Sequence, residues 1–187
     1  MRPKKVHQEE MLAGLLSVFR TKGYEGASLG ELAQAAGLKK ASLYHRFPGG
    51  KKEMATAVLT YVNEWVVENL YQVLTDKELT PEQRIDQALD NINALYSAGK
   101  KTCILRSLSM TTSMQLFGHM ISAGMKKWLS AFEQLGLAFH LSPAVAKQYA
   151  MLSLIEVQGS LVVTQGLNQN KIFADVLLRI RDRYVTK

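Results

Sequence analysis

The placement of proline most constrains how this chain can fold. All four prolines, Pro3, Pro48, Pro81 and Pro143, stand at ends or in loops. Proline lacks a donor and locks φ, so it breaks helix interiors and central strands. Two of them follow helix-starting residues. Thr80-Pro81-Glu82-Gln83 reads as an N-cap, a proline at the first helical position and a capping-box glutamine, and Ser142-Pro143 repeats the first two elements. Between these marks the apolar residues recur with a helical period. Leu12, Leu15, Leu16 and Phe19 share one face, as do Ile85, Leu89, Ile92 and Tyr96. No valine- or isoleucine-rich alternating run marks a strand. The expected fold is all-α, with long helices over about 51–74, 81–98, 113–135, 143–166 and 171–185. Gly23 and Gly136 are expected to end helices, and 100–112 reads as a short helix with flanking loops.

Composition narrows the class. The 187 residues are 47% apolar and 21% charged, a soluble globular balance long enough to bury a core. A single cysteine excludes an internal disulfide framework and a multi-cysteine zinc site. No uninterrupted apolar run approaches the ~20 residues of a membrane helix. The basic start, Arg2, Lys4 and Lys5, imitates a signal peptide, but Glu9 and Glu10 interrupt the apolar stretch that should follow. A cytoplasmic protein with no membrane partner is expected.

Charge divides the chain. Residues 1–52 hold 10 Lys+Arg against 4 Asp+Glu, a net of +6, whereas residues 53–187 hold 13 against 12. A basic head of this kind suits a polyanion, and a nearly neutral body suits another task. The expected division is therefore 1–52 and 53–187, with no flexible linker between them.

Within the head, residues 28–47 read SLGELAQAAGLKKASLYHRF. Ser28 and Glu31 form a capping box that opens a short helix. Leu32 and Ala36 face inward, Ala33 is small where a second helix must cross, and Gly37 allows a left-handed turn. Leu38 plugs the corner, and Leu43 and Phe47 anchor the next helix one turn apart. This order is that of a helix-turn-helix. The second helix turns Lys39, Lys40, Ala41, Ser42, Tyr44, His45 and Arg46 away from the core. Lysines near its start can reach bases or phosphates, small Ala41 and Ser42 admit the backbone to a groove floor, and the later residues are phosphate donors. A helical hairpin with a merely polar face is the plainer alternative.

The stretch GYEGASLGELAQAAGLKKASLYHRFPGGKKEM resembles the DNA-binding domain of the tetracycline-repressor (TetR) family of bacterial transcription regulators. The resemblance covers about residues 6–60. It implies an N-terminal three-helix helix-turn-helix domain and a C-terminal helical domain for ligand binding and dimerisation. Carried over, Ser28, Lys39, Lys40, Ala41, Ser42, Tyr44, His45 and a lysine opening the next helix match positions that commonly touch operator DNA. Family members usually show one lysine there, often capped by serine. This chain has Gly49-Gly50-Lys51-Lys52, which weakens the cap and leaves two candidates, of which Lys51 is preferred.

The body has no comparable motif. Its last two helices are the expected homodimer interface, through Tyr149, Leu152, Phe173, Leu177 and Ile180, with small residues between 146 and 160 permitting close crossing; an ordinary internal core is the alternative. Methionines cluster between 110 and 151. Trp65, Tyr96, Cys103, Met110, Met114, Phe117 and Met151 are candidate walls of an apolar cavity for an apolar or amphipathic small-molecule effector, against simple packing. Cys103, near Lys100, Lys101 and Arg106, is either a reactive thiol or a buried small hydrophobe. The four histidines show no metal spacing, and neither a phosphate-binding glycine loop nor a nucleophile elbow occurs, so no enzyme, metal or cofactor is expected. The leading expectation is a dimeric, ligand-responsive repressor of palindromic operators. The alternative is a DNA-binding dimer controlled by abundance or by a protein partner.

Overall fold

The computed structural model describes residues 7–186. Arg2, Pro3, Lys4 and Lys5 of the basic start lie outside the described residues. The elements are α1 (Gln8–Gly26), α2 (Leu29–Ala35), α3 (Lys40–Arg46), α4 (Gly50–Val66), a π-helical turn (Val67–Tyr71), α5 (Gln72–Thr75), α6 (Pro81–Leu95), α7 (Ile104–Ser107), α8 (Thr111–Ala138), α9 (Pro143–Leu167) and α10 (Lys171–Val185). Among the described residues there is no strand.

The chain forms two compact units by packing. The first holds the described residues up to Val62 together with Ile104–Ile121, and the second holds Asn63–Cys103 and the described residues from Ser122 onward. This division follows contacts, a different quantity from the charge that divides the sequence at residue 52. α4 and α8 each run from one unit into the other.

In the first unit, α1 buries Met11, Leu12, Leu15, Leu16 and Phe19, which includes the whole apolar stripe. The helix breaks at Gly23, whose φ of 68° and ψ of −174° interrupt the helical dihedrals before one last turn. α2 opens on Ser28, whose Oγ accepts the Glu31 N–H while the Glu31 carboxylate accepts the Ser28 N–H. α7 packs on α1, and Ser107 Oγ donates to the Arg20 carbonyl at 2.9 Å.

In the second unit, α6 starts with the expected capping box of Thr80 and Gln83, with Pro81 at the first helical position. Its stripe of Ile85, Leu89, Ile92 and Tyr96 is buried. α9 starts at Ser142-Pro143 and packs along α10. Two expectations change here. Gly136 does not end α8, which continues to Ala138; it is instead a point of close approach, where a Cβ would lie 2.8 Å from that of Ala146. The long helix after residue 51 contains a π turn over Val67–Tyr71, where Asn69 Nδ2 donates to the Trp65 carbonyl and the Asn69 carbonyl accepts from Asn91 Nδ2. Such a turn gives no apolar spacing distinct from the α-helix around it.

Candidate nucleic-acid interface

The two helices of the motif are held from behind by apolar anchors. Leu32 and Ala33 are buried on α2 and Ala36 at its C-cap, and Leu43 and Phe47 are buried on and after α3. Gly37 takes φ of +65°, the left-handed turn its position requires, and the Leu38 N–H returns to the Ala33 carbonyl at 2.9 Å. The sequence missed one residue that fixes this corner. Gly14 on α1 lets the backbone of Ala35 approach so closely that a Cβ would stand 2.0 Å from the Ala35 carbonyl oxygen. Nothing in the apolar spacing of α1 marks that contact. A glycine inside an otherwise strong helical stripe is the one available hint.

With the anchors facing inward, the opposite side of α3 is free. Lys39, Lys40, Ala41, Ser42, Tyr44, His45 and Arg46 are all exposed, and so is Ser28 at the start of α2. The arrangement therefore brings the expected set onto one surface of the first unit. Lys39 is the N-cap of α3, and His45 and Arg46 lie in its last turn, where the helix dipole favours positive charge. Arg46 Nη1 lies 3.2 Å from the Met11 sulfur, which ties the end of α3 to α1. The Ser28 hydroxyl donates to the Glu31 carboxylate at 2.8 Å. Together with the Ser28 N–H and the nearby Lys22, it holds the Glu31 carboxyl below its usual pKa range.

Lys51 and Lys52 differ. Lys52 is exposed, whereas Lys51 is half-buried and its Nζ donates to the carbonyls of Glu25 and Ala27. Gly50 has φ of +66°, and the turn before α4 is closed by Glu53, whose carboxylate accepts the Gly49 N–H at 2.7 Å. Glu53 thus supplies the anchoring that a serine cap would have given.

The candidate effector and dimer residues fall differently from expectation. Met110, Met114 and Phe117 belong to the first unit, and Trp65, Tyr96, Cys103 and Met151 to the second. Met110, Met114 and Met151 are exposed, Met110 to 65%, so these three stand at the surface and not on an interior wall. Phe117 lies edge-on to Tyr24, and Tyr96 lies edge-on to Phe173, so both take part in core packing. Cys103 is buried and Trp65 is half-buried. An open cleft of about 530 Å³ is lined by Asp86, Leu89, Asp90 and Asn93 of α6 and Ala174, Leu177, Leu178 and Arg181 of α10. None of the candidate effector residues borders it.

Phe173 and Ile180 are corrected as interface residues. Both have no exposed surface within the chain itself, so association cannot bury them further. Leu177 is also buried, while Tyr149 and Leu152 are partly accessible. The small residues Ala146, Ala150, Ser153 and Ser160 likewise face the chain's own core. The apolar surface that remains open on these helices is a different set: Met151, Ile155, Val162, Val163 and Leu167 on α9 and Leu178 on α10. On α9, Gly159 and Gly166 stand among them with nothing within 4 Å of where a Cβ would be. Among the described residues, α9 is also the one helix long and apolar enough to cross a membrane, with mean hydropathy of 1.2 over a window that is 39% buried. It contains Glu156, ion-paired with Arg183 of α10.

Residues 12–58 match the family described as bacterial regulatory proteins, tetR family. This segment belongs to the tetR family. Over 95 residues it is 33% identical to the uncharacterized HTH-type transcriptional regulator YxaF of Bacillus subtilis, a match spanning 51% of this chain and 44% of that one. The chain thus aligns with less than half the length of that relative. It is 22% identical over 165 residues to the HTH-type transcriptional regulator LmrA of the same organism, covering 84% of this chain and 85% of LmrA. Its fold is similar to that of the TetR family regulator CifR solved with 26-base-pair operator DNA, with a TM-score of 0.74, 20% identity, and 96% and 98% of the two chains covered.

Proposed function

We propose that this tetR-family regulator is a homodimeric repressor that grips palindromic operator DNA through α2 and α3 and is released by an apolar or amphipathic small-molecule effector. The observation that carries the DNA part is the exposed face from Lys39 to Arg46, set over the buried anchors Leu43 and Phe47. A compact cationic helix with small residues at its centre fits a major groove. The similarity to CifR, a relative solved on operator DNA, supports the same reading.

Dimerisation is supported by α9. A helix that is apolar on nearly all sides needs cover on nearly all sides, and the chain itself covers only part of this one. Ile155, Gly159, Val162 and Gly166 recur at three- and four-residue steps, the spacing of a single helix face. The two open glycines would let a second copy approach closely. A two-fold pair of heads then reads two half-sites. The effector part rests on family resemblance and on the similarity to FadR of Bacillus subtilis, solved with stearoyl-CoA.

Selection of bound fragments from genomic DNA with the purified full chain tests the reading, followed by sedimentation of the protein with the recovered duplex. A palindromic consensus bound by two copies is expected. Failure to enrich any fragment, or a monomer on the duplex at micromolar concentration, would refute it.

A further inference from the structure

The start of α4 carries two adjacent lysines, and their surroundings give them different tasks. Lys51 Nζ donates to the Glu25 carbonyl at 3.3 Å and the Ala27 carbonyl at 3.2 Å. It also lies 4.8 Å from the centroid of the Tyr24 ring. That ring is itself fixed, edge-on to Phe117 at 5.2 Å and stacked with Phe19 at 6.4 Å. The ammonium therefore faces two carbonyls and an aromatic face at once. Ala27 is buried, and a buried carbonyl needs a donor. Reaching outward to a DNA phosphate would take that donor away. Lys52, one position on, is exposed, and among the described residues it has no ion-pair partner.

The position of the Lys51 contact matters. Ala27 directly precedes Ser28, the N-cap of α2. Glu25 lies in the last turn of α1 and Ala27 caps it, so the two stand where the chain leaves α1 for the motif. We propose that Lys51 is a positioning residue, which pins this exit and so fixes where α2 and α3 emerge, and that Lys52 makes the ionic phosphate contact at this helix end. The assignment rests on the DNA-binding reading above and reverses the preference for Lys51 drawn from the sequence.

The test is the salt dependence of affinity, read by fluorescence anisotropy with the duplex recovered by selection, alongside thermal unfolding. Lys52→Gln is expected to shallow the logarithmic salt slope by about 0.9 for each bound head and to leave the unfolding midpoint in place. Lys51→Gln is expected to weaken binding by roughly tenfold at every salt concentration with the slope unchanged, and to lower the midpoint. Lys51→Arg, which can still donate to both carbonyls, should recover the affinity. A slope lost in Lys51→Gln and kept in Lys52→Gln would overturn the assignment. Should Lys51→Gln fail to fold, Lys52→Gln decides alone: a shallower slope supports the assignment and an unchanged one overturns it. A wild-type protein with no salt-dependent binding refutes the DNA reading instead, so the two failures are distinct.

Discussion

Gly14→Ala sets two physical effects against each other, and the structure decides the sign. Helix propensity alone favours alanine inside a helix by about 1 kcal/mol. The added Cβ, however, would lie 2.0 Å from the Ala35 carbonyl oxygen and 2.6 Å from its carbon. Ordinary contact begins near 3.4 Å, so the backbone of Ala35 would have to withdraw by 3.4 − 2.0 = 1.4 Å. Backbone cannot rotate aside as a flexible side chain can. Overpacking costs about 1–3 kcal/mol, and a clash with backbone at 2.0 Å belongs to the upper part of that range, which leaves a net loss of up to about 2 kcal/mol after the propensity gain. For a chain of this size about 1 kcal/mol moves the unfolding midpoint by about 2–4 °C, so calorimetry should show a fall of several degrees. Ala35 is the last residue of α2, two before the Gly37 turn, so its displacement carries α3 along. Affinity for the selected duplex should therefore fall more than stability alone accounts for. A midpoint that rises in Gly14→Ala would refute the close contact between α1 and α2, and with it this account of how the motif is held.

Other expectations follow from the same geometry. Ile155→Glu, on the open face of α9, should split the proposed dimer in sedimentation with little change in helical content, whereas Phe173→Ala should cost about 3–5 kcal/mol of stability because it empties a buried core position. The Glu31 carboxyl is held below its usual value of 4.5, first by the Ser28 hydroxyl and then by the Ser28 N–H. A depressed folded-state pKa contributes stability that is complete above the unfolded value and lost as pH falls through the folded one. Glu31→Gln should therefore flatten the acid limb of an unfolding-midpoint against pH curve below about pH 4.5; an unchanged acid limb would contradict the capping box. Cys103 is 3% exposed, so a thiol reagent should label it slowly in the folded protein and rapidly in denaturant. Fast labelling of the native chain would show that the 97–103 turn opens readily.

Helix starts in both the head and the body were legible because their signals are local. Ser28 with Glu31, Thr80 with Gln83, and Ser142 satisfy orphan helix donors within a few residues, and Pro143 has no N–H to satisfy, so spacing alone reveals them. The exposed set on α3 follows from the burial of Leu43 and Phe47 one turn apart. What spacing hides is contact between distant segments. Gly14 meets Ala35, Gly136 meets Ala146, and Gly99 would place a Cβ 2.8 Å from that of Phe173. Each is a lone glycine in sequence, and its partner becomes visible only after folding. Lys51 is the same case at the interface, because its partners Glu25 and Ala27 carry backbone groups that no side-chain pattern displays.

The residues expected at a dimer interface show what a regular apolar stripe means. Phe173, Leu177, Ile180 and Tyr184 form the clean stripe of α10, and all four are buried within the chain. That is what a stripe means on an amphipathic helix: the chain's own core takes the apolar face first, since folding must bury it. A surface left for a second copy therefore shows as a departure from amphipathic order. α9 has that departure. Its own core takes Ala146, Ala150, Ser153, Leu154, Val157, Ser160, Leu161 and Thr164, four of which are Ala or Ser, while Ile155, Val162, Val163 and Leu167 remain outside. Half of the inward residues are small while large apolar ones stand outside, which departs from the usual order of a surface helix. The departure is intelligible if close internal packing against α10 requires the small residues and a partner covers the large ones. Leu152→Glu and Leu177→Glu would then have different outcomes. Leu152 is partly accessible and should weaken the dimer when charged, whereas Leu177 is 8% exposed and should unfold the second unit. Sedimentation and circular dichroism on the two variants separate these effects. A folded, monomeric Leu177→Glu protein would restore α10's stripe as the interface and refute this reading of α9.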